Sequence, residues 1–341
     1  MDMHSAIRSV ARGLDLDQEQ MNSVMRIVMQ GDATPAQIGA FLTALHIKGE
    51  TVDELTAAAI VMREFAAAVS VRSDKVVDTV GTGGDAAGLF NVSTACALVA
   101  AAAGITVAKH GNRAATGKSG SADVLEAAGV DIGLTADQVG ETIDHVGIGF
   151  MFAPTHHGAT RHAVGPRREI GIRTIFNLLG PLTNPAAARW QLVGVYEQRW
   201  LRPLAEVFGN LGSIHTLVVS SFDGLDEISI ADSTAVCEFY KGELSEFLIS
   251  PEDYGIERQE LSSIKVENAS ESLSLIRGAL SGEKGPAYDM VALNAGATLY
   301  AADVVISVGD GVDRARAVLD AGDAVTKLEE LAAYTQRFGQ G

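Results

Sequence analysis

The chain has 341 residues, of which 47% are apolar and 20% are charged, and its formal net charge is −17 at pH 7. This length favours two domains, and the composition is that of an ordinary globular protein, which argues against a disordered or fibrous chain. The excess of acidic residues argues against nucleic acid or an anionic membrane as a general partner, because like charges repel. Any anionic ligand must therefore meet a local positive site.

The first seventy residues predict a small all-helical domain. Apolar residues recur at spacings of three and four over residues 16–31 and 33–49, and both stretches end on glycine, as amphipathic helices often do. A third helix is predicted to begin at Thr51, because Thr51 and Glu54 have the spacing of a capping box. The sequence therefore predicts a helical domain over residues 1–70.

Beyond the helical region the sequence predicts a larger α/β domain, residues 71–341, with a mostly parallel central sheet. Short β-branched runs alternate with helical segments there, and this alternation is typical of parallel sheets. The predicted elements are strand 75–80, helix 93–104, strand 105–110, helix 121–129, strands 147–152, 190–196 and 215–220, a hairpin over 235–249, and helices from about residue 270.

The segment 167–185 interrupts the series of strands. It is predicted to be a helix that is broken at Gly180 and Pro181, because glycine and proline both disfavour a continuing helix. We expect residues 165–187 to return to the helical domain in space and to complete it.

The chain carries no sequence signal for secretion, membrane insertion or a structural metal. Its longest apolar stretch, residues 95–108, is too short to span a bilayer, and the N-terminus lacks a secretory pattern, so the cytoplasm is the expected location. Cys96 and Cys237 have neither C-x-x-C spacing nor a clustered histidine partner. We therefore expect two buried free thiols.

Residues 78–94, DTVGTGGDAAGLFNVST, place four glycines between a predicted strand and a predicted helix. Glycines at a strand end leave the backbone unobstructed by side chains, and a helix begins near Asn91 to Ser93. Several N–H groups can therefore converge on a phosphate. Lys109 and Asn112 follow the next strand, and parallel strands end at the same edge of a sheet. The two loops are therefore predicted to border one phosphate-binding crevice.

Parts of this region resemble two nucleotide-binding motifs, but neither motif is complete. Gly81, Gly83 and Ala86 match G-x-G-x-x-G/A, but a dinucleotide fold needs an acid about twenty residues further on, and none is present there. The stretch GNRAATGKS ends like a Walker A loop, but five residues rather than four separate Gly111 from Gly117.

Two stretches almost without acidic residues indicate where a positive site lies. Residues 86–122 contain no Asp or Glu, although 43 acids in 341 residues would place four to five there, and Glu169 is the only acid in residues 145–196. The basic side chains of these two stretches include Lys109, His110, Arg113, Lys118, His156, His157, Arg161, His162, Arg167, Arg168, Arg173 and Arg189.

Acidic side chains follow the predicted strand 215–220. Asp223, Asp226 and Glu227 would lie at the same carboxyl edge as the glycine loop. Adjacent carboxylates repel an anionic ligand unless a cation intervenes, and Mg²⁺ accepts carboxylate and phosphate oxygens together. These residues predict a magnesium site, and a solvated turn is the alternative.

Six motifs now stand in order along the chain: GTGGD at 81–85, FNVSTA at 90–95, KHGNR at 109–113, GKSGSADVLEAAGV at 117–130, RREIGIRTIFNLLGPLTNP at 167–185 and GLDE at 224–227. Together they resemble the anthranilate phosphoribosyltransferase family. The resemblance implies a fold of the nucleoside phosphorylase/phosphoribosyltransferase type, a homodimer formed through the helical domain, and phosphoribosyl diphosphate bound with Mg²⁺, two ions being expected, at the hinge between domains.

The resemblance also implies site residues. Lys109, Asp85 and Arg167 are the implied catalytic residues, and Ser93, Asp226 and Glu227 the implied metal ligands. The implied donor-site residues are Gly81, Gly83, Gly84, Asp85, Asn91, Ser93, Thr94, Lys109 and Thr116. The implied anthranilate-site residues are Gly81, His110, Asn112, Arg167 and Pro181, with Gly180 beside Pro181.

The chain departs from the family pattern at three positions. Ala86 and Leu89 stand in a loop that commonly has the form G-D-G-x-G-T, and Thr116 replaces the usual serine while keeping a hydroxyl.

Two other functions are the alternatives. A pyrimidine nucleoside phosphorylase would favour a K-H-S-T-G-G loop and lacks a counterpart to KHGNR, and a nucleic-acid-binding relative is disfavoured by the charge of −17.

Overall fold

The computed structural model describes residues 1–84, 87–114 and 118–340. It begins with four helices: α1 (Met3–Val10), α2 (Gln18–Gln30), α3 (Pro35–Lys48) and α4 (Val52–Glu64). Asp17, Thr34 and Thr51 each accept a hydrogen bond from the backbone N–H three residues further on, in a reciprocal capping box. The predicted helix start at Thr51 is therefore confirmed.

The described part of the chain contains a seven-stranded sheet. Its strands are β1 (Val76–Gly81), β2 (Thr106–Gly111), β3 (Ile148–Phe152), β4 (Trp190–Gly194), β5 (His215–Ser221), β6 (Thr234–Tyr240) and β7 (Glu243–Ile249). The strand order is β3-β2-β1-β4-β5-β6-β7. The first five strands are parallel, and β6 is antiparallel to both neighbours. A mostly parallel sheet was predicted, and this is confirmed.

The predicted hairpin over 235–249 is also present, as β6 and β7. Lys241 and Gly242 connect the two strands, with φ of +50° and +94°. Two successive positive φ angles are typical of the type I′ turn, whose twist matches that of the flanking strands.

Helices cover both faces of the sheet. The helices that the structure describes after α4 are α5 (Val92–Ala102), α6 (Ser121–Ala127), α7 (Ala136–Val146), α8 (Ala153–His156), α9 (Arg161–Ile170), α10 (Phe176–Leu182), α11 (Leu201–Asn210), α12 (Ala269–Leu280), α13 (Pro286–Ala301), α14 (Val308–Ala321) and α15 (Asp323–Thr335). α5 packs on β1 and β2, and α13 packs on β4 and β5, while α11 packs on β5 and β6. Because the parallel strands are buried on both sides, their sequences are apolar runs rather than alternating patterns.

The predicted helix over 167–185 with a break at Gly180 and Pro181 is wrong. α9 ends at Gly171, whose φ of +64° stops the helix, and α10 then runs through Gly180 and Pro181. A proline removes one intrahelical hydrogen bond. Pro181 lies in the last turn of α10, and the helix continues for only one residue, Leu182, beyond it.

α9 returns to the N-terminal helices, where it packs on α2 and α3. The contact is close at Gly31, since a Cβ atom there would lie 2.6 Å from Cε1 of His162. Ala163 of α9 and Leu179 of α10 belong to the same buried core cluster as the apolar residues of α1 to α4. The assignment of residues 1–70 and 165–187 to one domain stays a prediction.

Within the described residues, no helix combines the length and the apolar character needed to cross a lipid bilayer.

Candidate active site

The carboxyl ends of β1, β4 and β5 lie side by side at one edge of the sheet. Gly81 at the end of β1 is in register with Gly194 at the end of β4, and Gly194 is in register with Val219 near the end of β5. Loops that leave these strands therefore begin side by side. This arrangement follows from parallel pairing and was predicted from the sequence.

The glycine loop after β1 is held at its start by the neighbouring strand and by the acidic turn. The N–H of Thr82 donates to the carbonyl of Gly194 at 2.9 Å, and the N–H of Gly83 donates to Oδ2 of Asp226 at 2.6 Å. A Cβ atom at Gly81 would lie 2.4 Å from the same Oδ2. Glycine is needed at this position because the carboxylate occupies the space of a side chain.

The acidic turn after β5 is rigidly supported. The amide of Asn294 on α13 accepts from the N–H of Ile228 at 2.8 Å and donates to the carbonyl of the same residue at 2.8 Å. On the other side the turn lies against β4, where a Cβ atom at Gly194 would lie 1.5 Å from the carbonyl oxygen of Asp226. The turn thus carries Asp226, which is buried, and Glu227, which is half-buried, in a defined place.

Lys109 on β2 is buried directly beneath the start of α5. Its Nζ donates to the carbonyl of Thr79 at 2.8 Å and to Oγ of Ser93 at 3.2 Å. Burial lowers the pKa of Lys109, while the negative charges of Asp78 and Glu227 oppose that shift. The ammonium is therefore held at the helix start between two acids, where it can neutralise part of an anionic ligand.

The start of α5 adds further positive potential at this point. The side chain of Asn91, which precedes the helix, makes no capping hydrogen bond to it. A helix start carries the positive end of the helix dipole, although here the N–H of Val92 donates to the carbonyl of Phe90 at 2.8 Å and that of Thr94 to the carbonyl of Asn91 at 3.1 Å. This helix end and the Lys109 ammonium meet at Ser93, and they form an anion-binding arrangement.

Asp78 on β1 is fully buried, and its role beside the glycine loop was not predicted from the sequence. Its Oδ1 accepts from the backbone N–H of His110 at 3.2 Å, and its Oδ2 accepts from Nδ2 of Asn184 at 2.8 Å. Burial raises the pKa of Asp78 to about 6, against the opposing charge of Lys109. Asn184 also donates to the carbonyl of Ala108 at 2.9 Å, so this amide connects β1, β2 and the chain after α10.

His110 lies between β2 and α10. Its Nδ1 is 3.2 Å from the carbonyl of Gly180, and its ring centroid is 5.1 Å from that of His157. Burial lowers the pKa of His110 to about 3, with a smaller contribution from His157, and burial likewise lowers the pKa of His157 to about 4. Both rings are thus neutral near pH 7. Nε2 of His110 is buried without a partner among the described residues.

Arg167 lies on α9, on the helical side of the crevice. Its guanidinium carbon is 5.1 Å from the ring centroid of Phe176, and burial lowers its pKa. No carboxylate of the described residues forms an ion pair with it, in contrast to Arg113, which pairs with Asp123 and Glu126. Its guanidinium is therefore a candidate partner for a ligand carboxylate.

The oxygen atoms at the acidic turn suit a divalent cation that arrives with a phosphate. No group of three or more His, Cys, Asp or Glu side chains within the described residues could hold a metal ion on its own. Asp226, Glu227 and the Ser93 hydroxyl offer hard oxygen atoms, and Mg²⁺ is commonly bound by one or two carboxylates together with substrate phosphates. The donor set therefore fits Mg²⁺ only if the ligand completes the coordination.

The chain matches known proteins over nearly its whole length. Residues 4–66 match the helical bundle domain of the glycosyl transferase family, and residues 73–325 match its a/b domain. The anthranilate phosphoribosyltransferase of Thioalkalivibrio sulfidiphilus is 58% identical over 335 residues, which is 98% of this chain and 99% of that protein. The chain belongs to the anthranilate phosphoribosyltransferase family.

Solved structures agree with this assignment. The crystal structure of anthranilate phosphoribosyltransferase from Thermus thermophilus has a TM-score of 0.92 and 44% identity, covering 97% of this chain and 99% of that one. The enzyme from Saccharomyces cerevisiae in complex with PRPP and Mg has a TM-score of 0.90 and 25% identity, covering 98% of each chain. The predicted family, fold class and enzyme class are confirmed.

Not every residue predicted for this phosphoribosyltransferase family site contacts the others. Asp85 and Thr116 lie outside the described residues. The side chain of Asn91 is engaged elsewhere, because its Oδ1 accepts from Ser119 Oγ at 2.9 Å and from Ser272 Oγ at 2.7 Å. Asn112 is exposed, and its side-chain oxygen accepts from the N–H of Arg113 at 2.7 Å.

Two further predicted residues, Thr94 and Pro181, are buried. Thr94 on α5 has a buried hydroxyl without a partner among the described residues. Pro181 is buried in α10, and its carbonyl accepts from Nε2 of Gln191 at 3.1 Å. The hydrogen bonds of Asp78 with His110 and Asn184, and that of Arg173 with Gly84, were not predicted from the sequence. The clue for Asp78 was an acid inside a strand that is otherwise apolar, and for Asn184 it was its place at the end of the NLLGPLTNP motif.

Proposed function

We propose that this chain transfers the 5-phosphoribosyl group from phosphoribosyl diphosphate to the amine of anthranilate in tryptophan biosynthesis. The products are N-(5-phosphoribosyl)anthranilate and diphosphate. The observation that carries the proposal is the meeting of three elements at one sheet edge: the glycine loop after β1, the buried ammonium of Lys109, and the acidic turn of Asp226 and Glu227. The yeast relative that was solved with PRPP and Mg supports the same donor.

The donor is proposed to bind between the glycine loop and the start of α5. Gly81, Gly83 and Gly84 supply bare backbone, and Ser93, Thr94 and Lys109 supply hydroxyl groups and one positive charge. Asp85, Asn91 and Thr116 complete the proposed donor site, with the Asp85 carboxylate accepting from hydroxyl groups of the ribose.

Mg²⁺ is the proposed cofactor, and we propose two ions. Ser93, Asp226 and Glu227 would hold them together with oxygen atoms of the donor. When bound, Mg²⁺ supplies positive charge that offsets the negative charge of the diphosphate.

Anthranilate is proposed to bind on the side of α9 and α10. The planar guanidinium of Arg167 matches a carboxylate with two parallel hydrogen bonds. His110 and Asn112 would face the ring, with Gly180 and Pro181 beside it and Gly81 at the boundary with the donor. Because the His110 ring is neutral near pH 7, it does not add a charge that would compete with Arg167 for the carboxylate.

The reaction forms a bond between the amine nitrogen and the anomeric carbon while the bond from that carbon to the diphosphate oxygen breaks. Positive charge develops on the ribose ring, as in glycoside hydrolysis, and negative charge develops on the leaving diphosphate. We propose that Lys109 and the positive end of α5 stabilise that negative charge. The aromatic amine is unprotonated at neutral pH, so no strong general base is required, and its proton leaves to solvent. The proposed catalytic residues are Lys109, Asp85 and Arg167.

We further propose the assembly that the sequence predicted. Residues 1–70 and 165–187 form the helical domain, residues 71–341 otherwise form the donor-binding domain, and two chains associate through the helical domains. Closure of the two domains would bring the substrates together and exclude water. The proposed location is the cytoplasm.

One assay tests the central proposal. The protein is mixed with phosphoribosyl diphosphate, Mg²⁺ and anthranilate, and the loss of anthranilate fluorescence is followed. We expect the signal to fall only when all three components are present. A purified, folded protein that leaves the fluorescence unchanged under these conditions contradicts the proposal.

A further inference from the structure

Arg173 lies in the connection between α9 and α10 and contacts the glycine loop. One of its Nη atoms donates to the carbonyl oxygen of Gly84, and the other donates to Oε1 of Glu197 at 3.3 Å. Its guanidinium carbon is 3.8 Å from the ring centroid of Tyr196. The guanidinium is therefore held by an acid and by an aromatic face while it engages the loop.

The contact depends on the backbone of Gly84. Its φ is +88°, which L side chains rarely adopt, and a Cβ atom there would lie 3.4 Å from an Nη atom of Arg173. The positive φ therefore requires glycine, whereas the space beside Arg173 would admit a Cβ in ordinary van der Waals contact. The adjacent residue, Gly83, directs its N–H to Asp226. Two successive residues of the loop are therefore attached at opposite sides.

The direction of a carbonyl group matters in a loop that binds an anion. A carbonyl oxygen carries a partial negative charge, and an oxygen turned toward a diphosphate would repel it. A carbonyl that is bonded to Arg173 cannot at the same time turn toward the ligand, so this oxygen adds no repulsion to a bound diphosphate.

We propose that Arg173 is a positioning residue for the phosphoribosyl donor, and this rests on the proposed function. Arg173 holds the carbonyl of Gly84 away from the diphosphate, and Glu197 and Tyr196 hold Arg173 in place. The arginine acts through the loop and not as a charge on the ligand. It lies on the segment that also carries Arg167, yet its effect falls on the donor.

The test compares Arg173→Ala, Arg173→Lys and Arg199→Ala by steady-state kinetics. Arg199→Ala is the matched control, because Nε of Arg199 pairs with Oε2 of Glu197 at 2.6 Å but makes no hydrogen bond to the glycine loop in the described part of the chain. We expect Arg173→Ala to raise the donor KM about tenfold to hundredfold, the range for loss of a hydrogen bond to a charged group, with the anthranilate KM changed less than about twofold. The control should leave both KM values near those of the wild type.

Arg173→Lys separates positioning from simple charge. The introduced ammonium keeps the charge but cannot bond Gly84 and Glu197 in one plane while stacking on Tyr196. We expect it to leave the donor KM raised at least about fivefold. A donor KM that returns to the wild-type value in Arg173→Lys, or an equal rise of both KM values in Arg173→Ala, overturns the inference.

Binding of the donor is measured separately from transfer, by titration calorimetry with phosphoribosyl diphosphate and Mg²⁺. A wild-type protein that binds the donor but does not consume anthranilate refutes the proposed function, and the donor affinities of the variants still decide the role of Arg173. If circular dichroism shows that Arg173→Ala is unfolded, Glu197→Gln replaces it, because this change removes the partner that orients Arg173. The inference is also overturned if Glu197→Gln is folded and both this variant and Arg173→Lys bind the donor with wild-type affinity.

Discussion

Replacing Lys109 with methionine tests the proposed catalytic charge most directly. Methionine keeps the length of the side chain and removes the ammonium that lies 3.2 Å from Ser93 Oγ. Removing one donor that is aimed at developing negative charge typically costs a factor of about 100 to 1000 in kcat. We expect Lys109→Met to lower kcat by this factor at saturating concentrations of both substrates.

Stability should change much less than activity, for a reason that the structure supplies. The carbonyl of Thr79 loses its 2.8 Å donor, which costs about 1–3 kcal/mol, but the penalty for burying the ammonium disappears with it. The positive charge that lowers the pKa of Asp78 is also lost, so that pKa rises above about 6. We therefore expect the free energy of unfolding to fall by less than about 3 kcal/mol.

The assay follows anthranilate fluorescence, and the folded state is checked by urea unfolding. Lys75→Met is the matched control, because Nζ of Lys75 donates to the carbonyl of Asp303 at 3.2 Å, at the opposite end of β1. The control should retain the wild-type kcat. A folded Lys109→Met protein whose kcat stays within about tenfold of the wild type refutes the assignment of Lys109.

Three further outcomes are expected. Arg167→Ala should raise the anthranilate KM about tenfold to hundredfold, because a charge-assisted contact with the carboxylate is lost, and leave the donor KM within about twofold. Equal rises in both KM values, measured in the same assay, would show that Arg167 does not bind anthranilate. Asp226→Asn combined with Glu227→Gln should raise the Mg²⁺ concentration for half-maximal rate at least about tenfold, and an unchanged Mg²⁺ titration contradicts the metal assignment. Because the pKa of His110 is lowered from 6.5 to about 3, protonation of this ring favours the unfolded state. The contribution of the neutral ring to the free energy of unfolding is complete above pH 6.5 and is lost as the pH falls toward 3. Between about pH 7 and pH 5 this loss is about 2 kcal/mol. The free energy of unfolding of His110→Asn should therefore fall by about 2 kcal/mol less than that of the wild type over this pH range. Urea unfolding at both pH values measures this, and a fall equal to that of the wild type contradicts the prediction.

The sequence predicted those parts of the fold that depend on local chemistry and on the polarity of parallel strands. Helix starts such as Thr51 were predicted because a capping box involves residues three apart. The meeting of the glycine loop with Asp226 was predicted because parallel strands end at one edge. The first inference uses information within one short stretch, whereas the second uses the shared direction of parallel strands and so reaches a pair 143 residues apart.

The features that were missed depend on partners far apart in sequence. Arg173 is 89 residues from Gly84, and Asp78 is 106 residues from Asn184. No spacing rule connects such pairs, so their hydrogen bonds became visible only in the folded chain. The break between α9 and α10 was misplaced because Gly180 and Pro181 were taken as the stop signal, whereas α9 stops before Gly171, whose φ is +64°.

The contact between β4 and the acidic turn has a consequence for how this protein can vary. The carbonyl of Asp226 fills the place where position 194 would carry a side chain. Even alanine would displace the turn and, with it, the carboxylates proposed to grip the metal. Residue 194 touches no substrate in the proposed site, yet its identity is as constrained as that of a ligand, and a substitution there would resemble a defect in metal binding rather than a defect in packing.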